Sequence, residues 1–345
     1  MKALRLHGIG DLRCDEVPVP EPKGIELLIK VGACGLCGSD LPRIYEHGTS
    51  NGQYPLTIGH EFAGEVVAVG ERANSGLLGK RGAVFPLIPC GRCDSCITGH
   101  YAMCEHYNYL GSRCNGGFAE YCIIPSEWQL IPSQRAPMEA LAMTEPACVA
   151  QHAVRRAGIT AGDFVVIFGA GPIGLIAARW AILFGAQVLM VDVAANKVNF
   201  SQSKGFYTIN SNETDVIKTV RALNKGKLAS AAIEGTGVGT ALEACIQCVR
   251  AQGRIALLGN PIDETKMAVK THSMILRKEI TINGVWNSSR SPYPINEWEF
   301  TVAMLDEEKL EVTDLITDRL SLEDIPCATA EIMRGSRHIV KAMYV

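Results

Sequence analysis

The residues best suited to chemistry fall into two sets of metal-ligand type. "CGRCDSCITGHYAMC" places Cys90, Cys93, Cys96 and Cys104 as C-x2-C-x2-C-x7-C. Four closely spaced thiolates suit tetrahedral zinc with no open position, which is a structural site. An iron–sulfur cluster also takes four cysteines, so spacing alone leaves that alternative open. The second set is dispersed. Cys37 in "GLCGSD", His60 and Glu61 in "GHE", and Glu145 in "TEPA" offer sulfur, nitrogen and oxygen donors from three segments. Catalytic zinc typically has three protein ligands and a free position for water or substrate. Each of these residues alone is ambiguous. Cys34 and Cys37 also form a C-x-x-C pair, a spacing that can mean a redox dithiol, half of a zinc site or nothing; with Cys37 joined to His60, Cys34 is expected to pack as a small apolar residue on its strand. The combination of donors is what points to a catalytic metal.

A third constellation concerns a nucleotide. "VVIFGAGPIGLIAARWA" holds Gly169, Gly171 and Gly174 in G-x-G-x-x-G spacing, directly after an apolar strand and opening a helix. The glycines permit a tight turn and close backbone approach, and the helix N-terminus, with Pro172 and Ile173 in its first turn, stabilises a pyrophosphate. Pro172 suits that turn because its missing N–H costs nothing there. Asp192 ends the next strand, where a carboxylate accepts hydrogen bonds from the adenosine ribose. It would repel a 2′-phosphate, and "VAANK" offers no arginine, so NAD is expected over NADP. Lys197 is a further candidate contact to the ribose.

These residues need a scaffold. The 345 residues suggest two domains on length alone, and at 47% apolar they can bury substantial cores. The first 148 or so residues are rich in glycine, proline and short β-branched runs such as "ELLIKVGACG", "EFAGEVVAVG" and "KRGAVFPL", which predict a β-rich, irregular barrel. From 149 to 286 strands and helices alternate: "FVVIFGA", "QVLMVDV", "FYTIN", "LASAAIEG", "RIALLGN" and "EITINGVW" are strand candidates. Helical segments such as "PIGLIAARWAILFG" and "TALEACIQCVRAQG" lie between them, each read as ending at its glycine. That is the pattern of a doubly wound parallel sheet. Residues 287–345 break the pattern, and the final "HIVKAMYV" is expected to return to the first domain as a strand.

The charge balance excludes some classes. With 20% charged residues and a net charge of −3 there is no basic excess for nucleic acid. "MKALRLHGIGDLRCDEV" lacks the apolar core of a signal peptide, so a cytoplasmic protein is expected. The apolar run 165–191 is long enough for a membrane span, but its glycines and Pro172 divide it into strand, helix and strand. Thirteen cysteines in a chain without a secretion signal favour metal binding over a disulfide framework.

Taken together, "CGSD", "GHEFAG", the four-cysteine lobe, "GGFAEY", "EP" and "GAGPIG" resemble the zinc-containing medium-chain alcohol and polyol dehydrogenase superfamily from end to end. "GLCGSDLPRI", "LGSR" and "NSSRSPYPINEWE" are most similar to a branch acting on polyol phosphates. The resemblance implies an α/β chain in which a GroES-like β-rich catalytic domain (1–148 and 287–345) accompanies a Rossmann NAD-binding domain (149–286). It also implies two zinc ions per subunit, one catalytic and one structural, and assembly as a homodimer or homotetramer. Cys37 and His60 match the family's catalytic-zinc ligands, and the third ligand is either Glu61 or Glu145. Neighbouring residues of an extended strand point to opposite faces, so His60 and Glu61 share a metal only on distorted backbone. Glu145 is therefore the expected ligand, with Glu61 as a catalytic, exchangeable partner.

The implied reaction is oxidation of a secondary hydroxyl to a ketone by NAD. Ser39 matches the family's proton-relay hydroxyl. Many relatives carry a histidine three residues later; here it is Pro42, which leaves water, Asp40, His47 or the product as proton outlet. Arg43, Arg113 and Arg290 are candidate cations for a substrate phosphate, because guanidinium binds phosphate bidentately. Asn287 is a further substrate-binding candidate. The competing expectations are an unphosphorylated polyol as substrate, and a non-catalytic zinc- and NAD-binding protein.

Overall fold

The computed structural model describes residues 1–262 and 264–345. Contacts divide it into two units, Met1–Glu145 with Ser289–Val345, and Pro146–Ser288. The first unit is built on two nine-residue strands, Leu27–Gly35 and Glu61–Val69, which run antiparallel with Gly35 opposite Glu61. Leu27–Gly35 is buried at every position except Lys30 and Gly32, so both faces of this strand are covered. Arg81–Val84 and Leu130–Pro132 extend the sheet on one side. On the other side the strand Lys341–Tyr344 closes onto Leu27–Gly35, with Met343 opposite Gly35. The last strand of the chain therefore lies beside the segment that leads into Cys37. Leu4, Ile29, Phe62 and Phe118 are among the fully buried residues of the core.

The second unit is a six-stranded, all-parallel sheet. Its order is Thr208–Asn210, Gln187–Asp192, Phe164–Phe168, Ala229–Glu234, Val249–Leu257, Thr281–Gly284. In sequence order this is 3-2-1-4-5-6, the doubly wound arrangement whose ligand crevice lies beyond the carboxyl ends of the central strands. The helix Pro172–Leu183 is largely buried, as its apolar composition requires. One expected boundary moves. The helix read through "TALEACIQCVRAQG" ends at Cys248, and the strand begins at Val249 rather than at Arg254. The register to Ala229–Glu234 shifts between Ala229 and Ala231, and Gln252 takes a φ of 55°, so an irregular stretch replaces the glycine-terminated helix end. The apolar run 165–191 divides into strand, helix and strand, and no described helix is long and apolar enough to cross a membrane.

Candidate active site and cofactor cavity

Donor atoms of Cys37, His60 and Glu61 lie within 4.8 Å of one another. The grouping is a consequence of the sheet. Cys37 follows the strand Leu27–Gly35, while Glu61 opens its antiparallel neighbour. His60 precedes that strand, so the alternation that would send His60 and Glu61 to opposite faces does not yet apply. Gly59 makes the bend: its φ of 95° is open to glycine, and a β-carbon there would press on Phe118 and on Cys34 Sγ. The expectation of Glu145 as third donor rested on strand geometry that begins one residue too late. Glu145 stays close by, buried, with Oε1 accepting a hydrogen bond from the Tyr109 hydroxyl at 3.2 Å. Burial above all, with Glu61 adding to it, raises Glu145 to about 7 against the pull of His60, Lys341 and Tyr109.

Asp40 is the orienting residue whose role the sequence did not disclose. It is fully buried. One oxygen accepts the Cys37 N–H at 3.0 Å; the other accepts from Arg43 at 2.6 Å and lies 3.6 Å from His60 Nδ1. Burial works against its charge, yet His60, Arg43 and the Cys37 N–H together hold its carboxyl below the ordinary value. At 3.6 Å the carboxylate faces His60 Nδ1 electrostatically without a hydrogen bond, and that buried nitrogen has no hydrogen-bond partner among the described residues; a carboxylate facing the second ring nitrogen of a ligating histidine favours one ring orientation. Tyr109 meets the other side of the ring edge-on, with centroids 5.8 Å apart. The Ser39 hydroxyl is exposed and donates to Cys37 Sγ at 3.3 Å.

The candidate cations are all engaged. Arg43 is bound to Asp40, with its side chain 15% exposed. Arg113 donates to the Tyr107 carbonyl at 2.7 Å and lies over the Tyr107 ring at 3.9 Å. Arg290 stacks on Trp128 at 4.7 Å and faces Phe85 at 5.7 Å. Asn287 takes a φ of 57° and accepts the Ser288 N–H on its side-chain oxygen, a local turn.

The four-cysteine lobe forms a second donor cluster, again with all atoms within 4.8 Å of one another. Cys90 and Cys96 sulfurs are 3.9 Å apart, close to the separation of about 3.8 Å that a tetrahedral ion with bonds of about 2.3 Å would set. The Cys90 N–H donates to Cys104 Sγ at 3.3 Å. Backbone N–H groups of Arg92 and Cys93 bring Cys90 down to about 6, whereas burial carries Cys96 up to about 12. Backbone N–H groups of Glu105 and Cys96 likewise lower Cys93. Cys34 stands apart: it is fully buried in the apolar core, and burial raises its thiol well above the ordinary value.

In the second unit a cavity of about 890 Å³ is lined by Gly169, Gly171, Pro172, Ile173, Gly174, Asp192 and Lys197, together with Thr236 and Val238. Gly171 has open space on its β-carbon side, where a phosphate can approach the backbone. A β-carbon at Gly174 would overlap the Gly169 carbonyl oxygen, so the helix packs on the turn only with glycine there. The Asp192 carboxylate accepts from Ala170 N–H at 2.8 Å and Ala194 N–H at 2.9 Å, which ties the glycine turn to the end of the second strand. Glu234 buttresses the opposite wall by accepting the N–H groups of Thr236 and Gly237. It gave no sequence signal, because an acid at a strand end is unremarked unless the loop it holds is known.

The alcohol dehydrogenase GroES-like domain family matches residues 23–135, and the zinc-binding dehydrogenase family matches residues 172–307. Galactitol 1-phosphate 5-dehydrogenase of Escherichia coli (strain K12) is 35% identical over 97% of both chains. Sorbitol dehydrogenase of Halalkalibacterium halodurans is 32% identical, also over 97% of each. Among solved structures, galactitol-1-phosphate dehydrogenase from Escherichia coli superposes with a TM-score of 0.92 at 34% identity, covering 100% of both chains. A zinc-binding dehydrogenase from Sinorhizobium meliloti 1021, bound to NADP, gives 0.88 at 28% identity, covering 100% of this chain and 98% of that one.

Proposed function

Because this chain belongs to the zinc-containing medium-chain alcohol and polyol dehydrogenase family, we propose that it oxidises a secondary hydroxyl of a polyol phosphate, galactitol 1-phosphate to tagatose 6-phosphate, with NAD as acceptor. That it is an oxidoreductase using zinc and a nicotinamide cofactor follows from the family. The likeness to galactitol 1-phosphate 5-dehydrogenase supports the substrate reading, and the gathering of Cys37, His60 and Glu61 donors supports zinc-assisted chemistry at a hydroxyl. Sulfur, imidazole nitrogen and carboxylate in a three-ligand set suit a catalytic zinc with an open position. We assign a second, structural zinc to Cys90, Cys93, Cys96 and Cys104, and assembly as a homodimer or homotetramer.

When bound, zinc supplies a Lewis acid that makes a coordinated hydroxyl easier to deprotonate. The chain's own residues do the rest. Asp40, braced by Arg43, keeps the His60 ring aimed and holds the Cys37 backbone. Ser39 is the exposed hydroxyl next to the thiolate and receives the substrate proton. Asp40 cannot pass that proton on, being fully buried beneath Arg43 and His60. Pro42 has no group to carry it, so we assign the exit from Ser39 to water, with the exposed His47 beside Glu46 as the alternative outlet. NAD, when bound, would supply the hydride acceptor, so that alcohol and NAD⁺ become ketone, NADH and a proton. Asp192 and the glycine turn seat the adenosine diphosphate portion of NAD, with Lys197 beside the ribose.

A second reading, an unphosphorylated polyol, is favoured by one observation: Arg43, Arg113 and Arg290 each already serve a protein partner. Initial rates of NAD reduction with galactitol 1-phosphate, galactitol and sorbitol separate the two. The phosphate reading expects kcat/KM for the phosphorylated substrate to exceed the others by at least about 100-fold, the scale of one lost charged hydrogen-bond pair. Equal or better use of sorbitol or galactitol would select the second reading.

A further inference from the structure

Lys341 is an ammonium group buried to 4% exposure in the first unit, and the reaction as described above gives it no part. It sits on the closing strand, and its Nζ donates to the Leu36 carbonyl at 3.0 Å and to Glu61 Oε2. The backbone is shaped around this pair. A β-carbon at Gly35 would overlap Glu61 Oε2 and lie 2.9 Å from Lys341 Cε, so the ion pair crosses the strand through the space a side chain would fill. The pair is therefore a constructed part of the donor cluster. It is not a surface contact.

We propose that Lys341 shares the Glu61 carboxylate with the catalytic metal and thereby limits how tightly the ion is held; this rests on the reading of Cys37, His60 and Glu61 as its ligands. The charges account for the effect. Asp40 and Arg43 offset each other, which leaves the Cys37 thiolate and the Glu61 carboxylate, with the buried Glu145 beside them, to face a divalent ion. An ammonium on one oxygen of Glu61 withdraws part of that carboxylate's charge from the ion. The metal then keeps more of its positive charge for a substrate oxygen. Lys341 is a positioning residue: it reaches the site only through Glu61.

The test follows transfer of zinc from the purified holoprotein to a colorimetric chelator, without substrate. Lys341→Met and Lys341→Gln remove the charge, the latter keeping a donor for the Leu36 carbonyl; Lys341→Arg keeps both. At the charge separations of a shared carboxylate, Met and Gln variants are expected to release the catalytic zinc at least about tenfold more slowly than wild type. The Arg variant should stay near wild type, and the difference should vanish in a Glu61→Gln background. Release that is unchanged or faster in folded Met and Gln variants overturns the proposal, as does a difference that survives Glu61→Gln. Circular dichroism identifies a variant that has not folded, and the other neutral variant then carries the comparison. A wild-type protein holding one zinc, in the cysteine lobe alone, would overturn the site reading as well; two zincs with no shift would overturn only the role of Lys341.

Discussion

Asp40→Asn tests the internal support of the site. The aspartate makes three contacts from full burial: Cys37 N–H on one oxygen, and Arg43 with the His60 ring on the other. Asparagine has nearly the same shape but one acceptor and one donor. In one orientation its NH₂ faces the Cys37 N–H; flipped, it faces the Arg43 guanidinium. A donor meets a donor either way. The lost hydrogen bond was to a charged group, worth about 1.5–3 kcal/mol, and Arg43 would remain largely buried without its counter-charge. Loosening the residue that orients a ligating histidine typically costs about 10–100-fold in metal affinity. Chelator competition on the purified variant, alongside its Tm, measures both effects. Zinc affinity within about twofold of wild type would refute the assignment, since losing the carboxylate that faces a ligating histidine typically costs about tenfold or more. Arg43→Met sharpens the comparison. If Arg43 braces Asp40, this change lowers zinc affinity too; if it recognises phosphate instead, it raises KM for the phosphorylated substrate and leaves the metal alone.

Three further outcomes are expected. Gly174→Ala forces a methyl into the Gly169 carbonyl and should lower stability by about 1–3 kcal/mol while raising KM for NAD, as read from thermal unfolding and steady-state kinetics. Asp192→Asn removes the repulsive charge and weakens two backbone contacts, so KM for NAD should rise about tenfold and the preference over NADP should narrow; an unchanged ratio would contradict the ribose role. Asp306 accepts Ser133 Oγ and the N–H groups of Gln134, Arg135 and Ala136; despite the opposing effect of burial these bonds depress its carboxyl. A depressed folded value contributes stability that is present above the unfolded value of about 3.9 and lost as pH falls through the folded one. The Tm gap between wild type and Asp306→Ala should therefore be constant from neutral pH down to about pH 5 and shrink below pH 4.

The parts legible in the sequence were those with a short-range signal. The alternation of strands and helices after residue 149 and the glycine turn before Pro172 both report local backbone requirements. The cysteine lobe is likewise contained in fifteen residues. The site in the first unit is different, because its parts meet only through pairing of strands far apart in sequence. Asp40 looks like an ordinary residue after "CGS", and nothing near it announces His60, twenty positions on. Lys341 is separated from Glu61 by 280 residues and meets it because the last strand closes onto Leu27–Gly35. Glu61 joins the Cys37 and His60 donors because the backbone bends at Gly59, whose φ of 95° alternation arguments do not contain. The arginines are ambiguous for a related reason: a guanidinium near a predicted site suits a phosphate equally well whether or not a buried carboxylate has already bound it.

The central assignment is Cys37 as a ligand of a catalytic zinc distinct from the cysteine-lobe zinc. Zinc content per chain, measured on wild type and Cys37→Ser purified in parallel, tests this directly. The account predicts two zinc ions in wild type and one in the variant, with turnover abolished and NADH binding retained. Two zinc ions in Cys37→Ser, or turnover that survives the change, would contradict it.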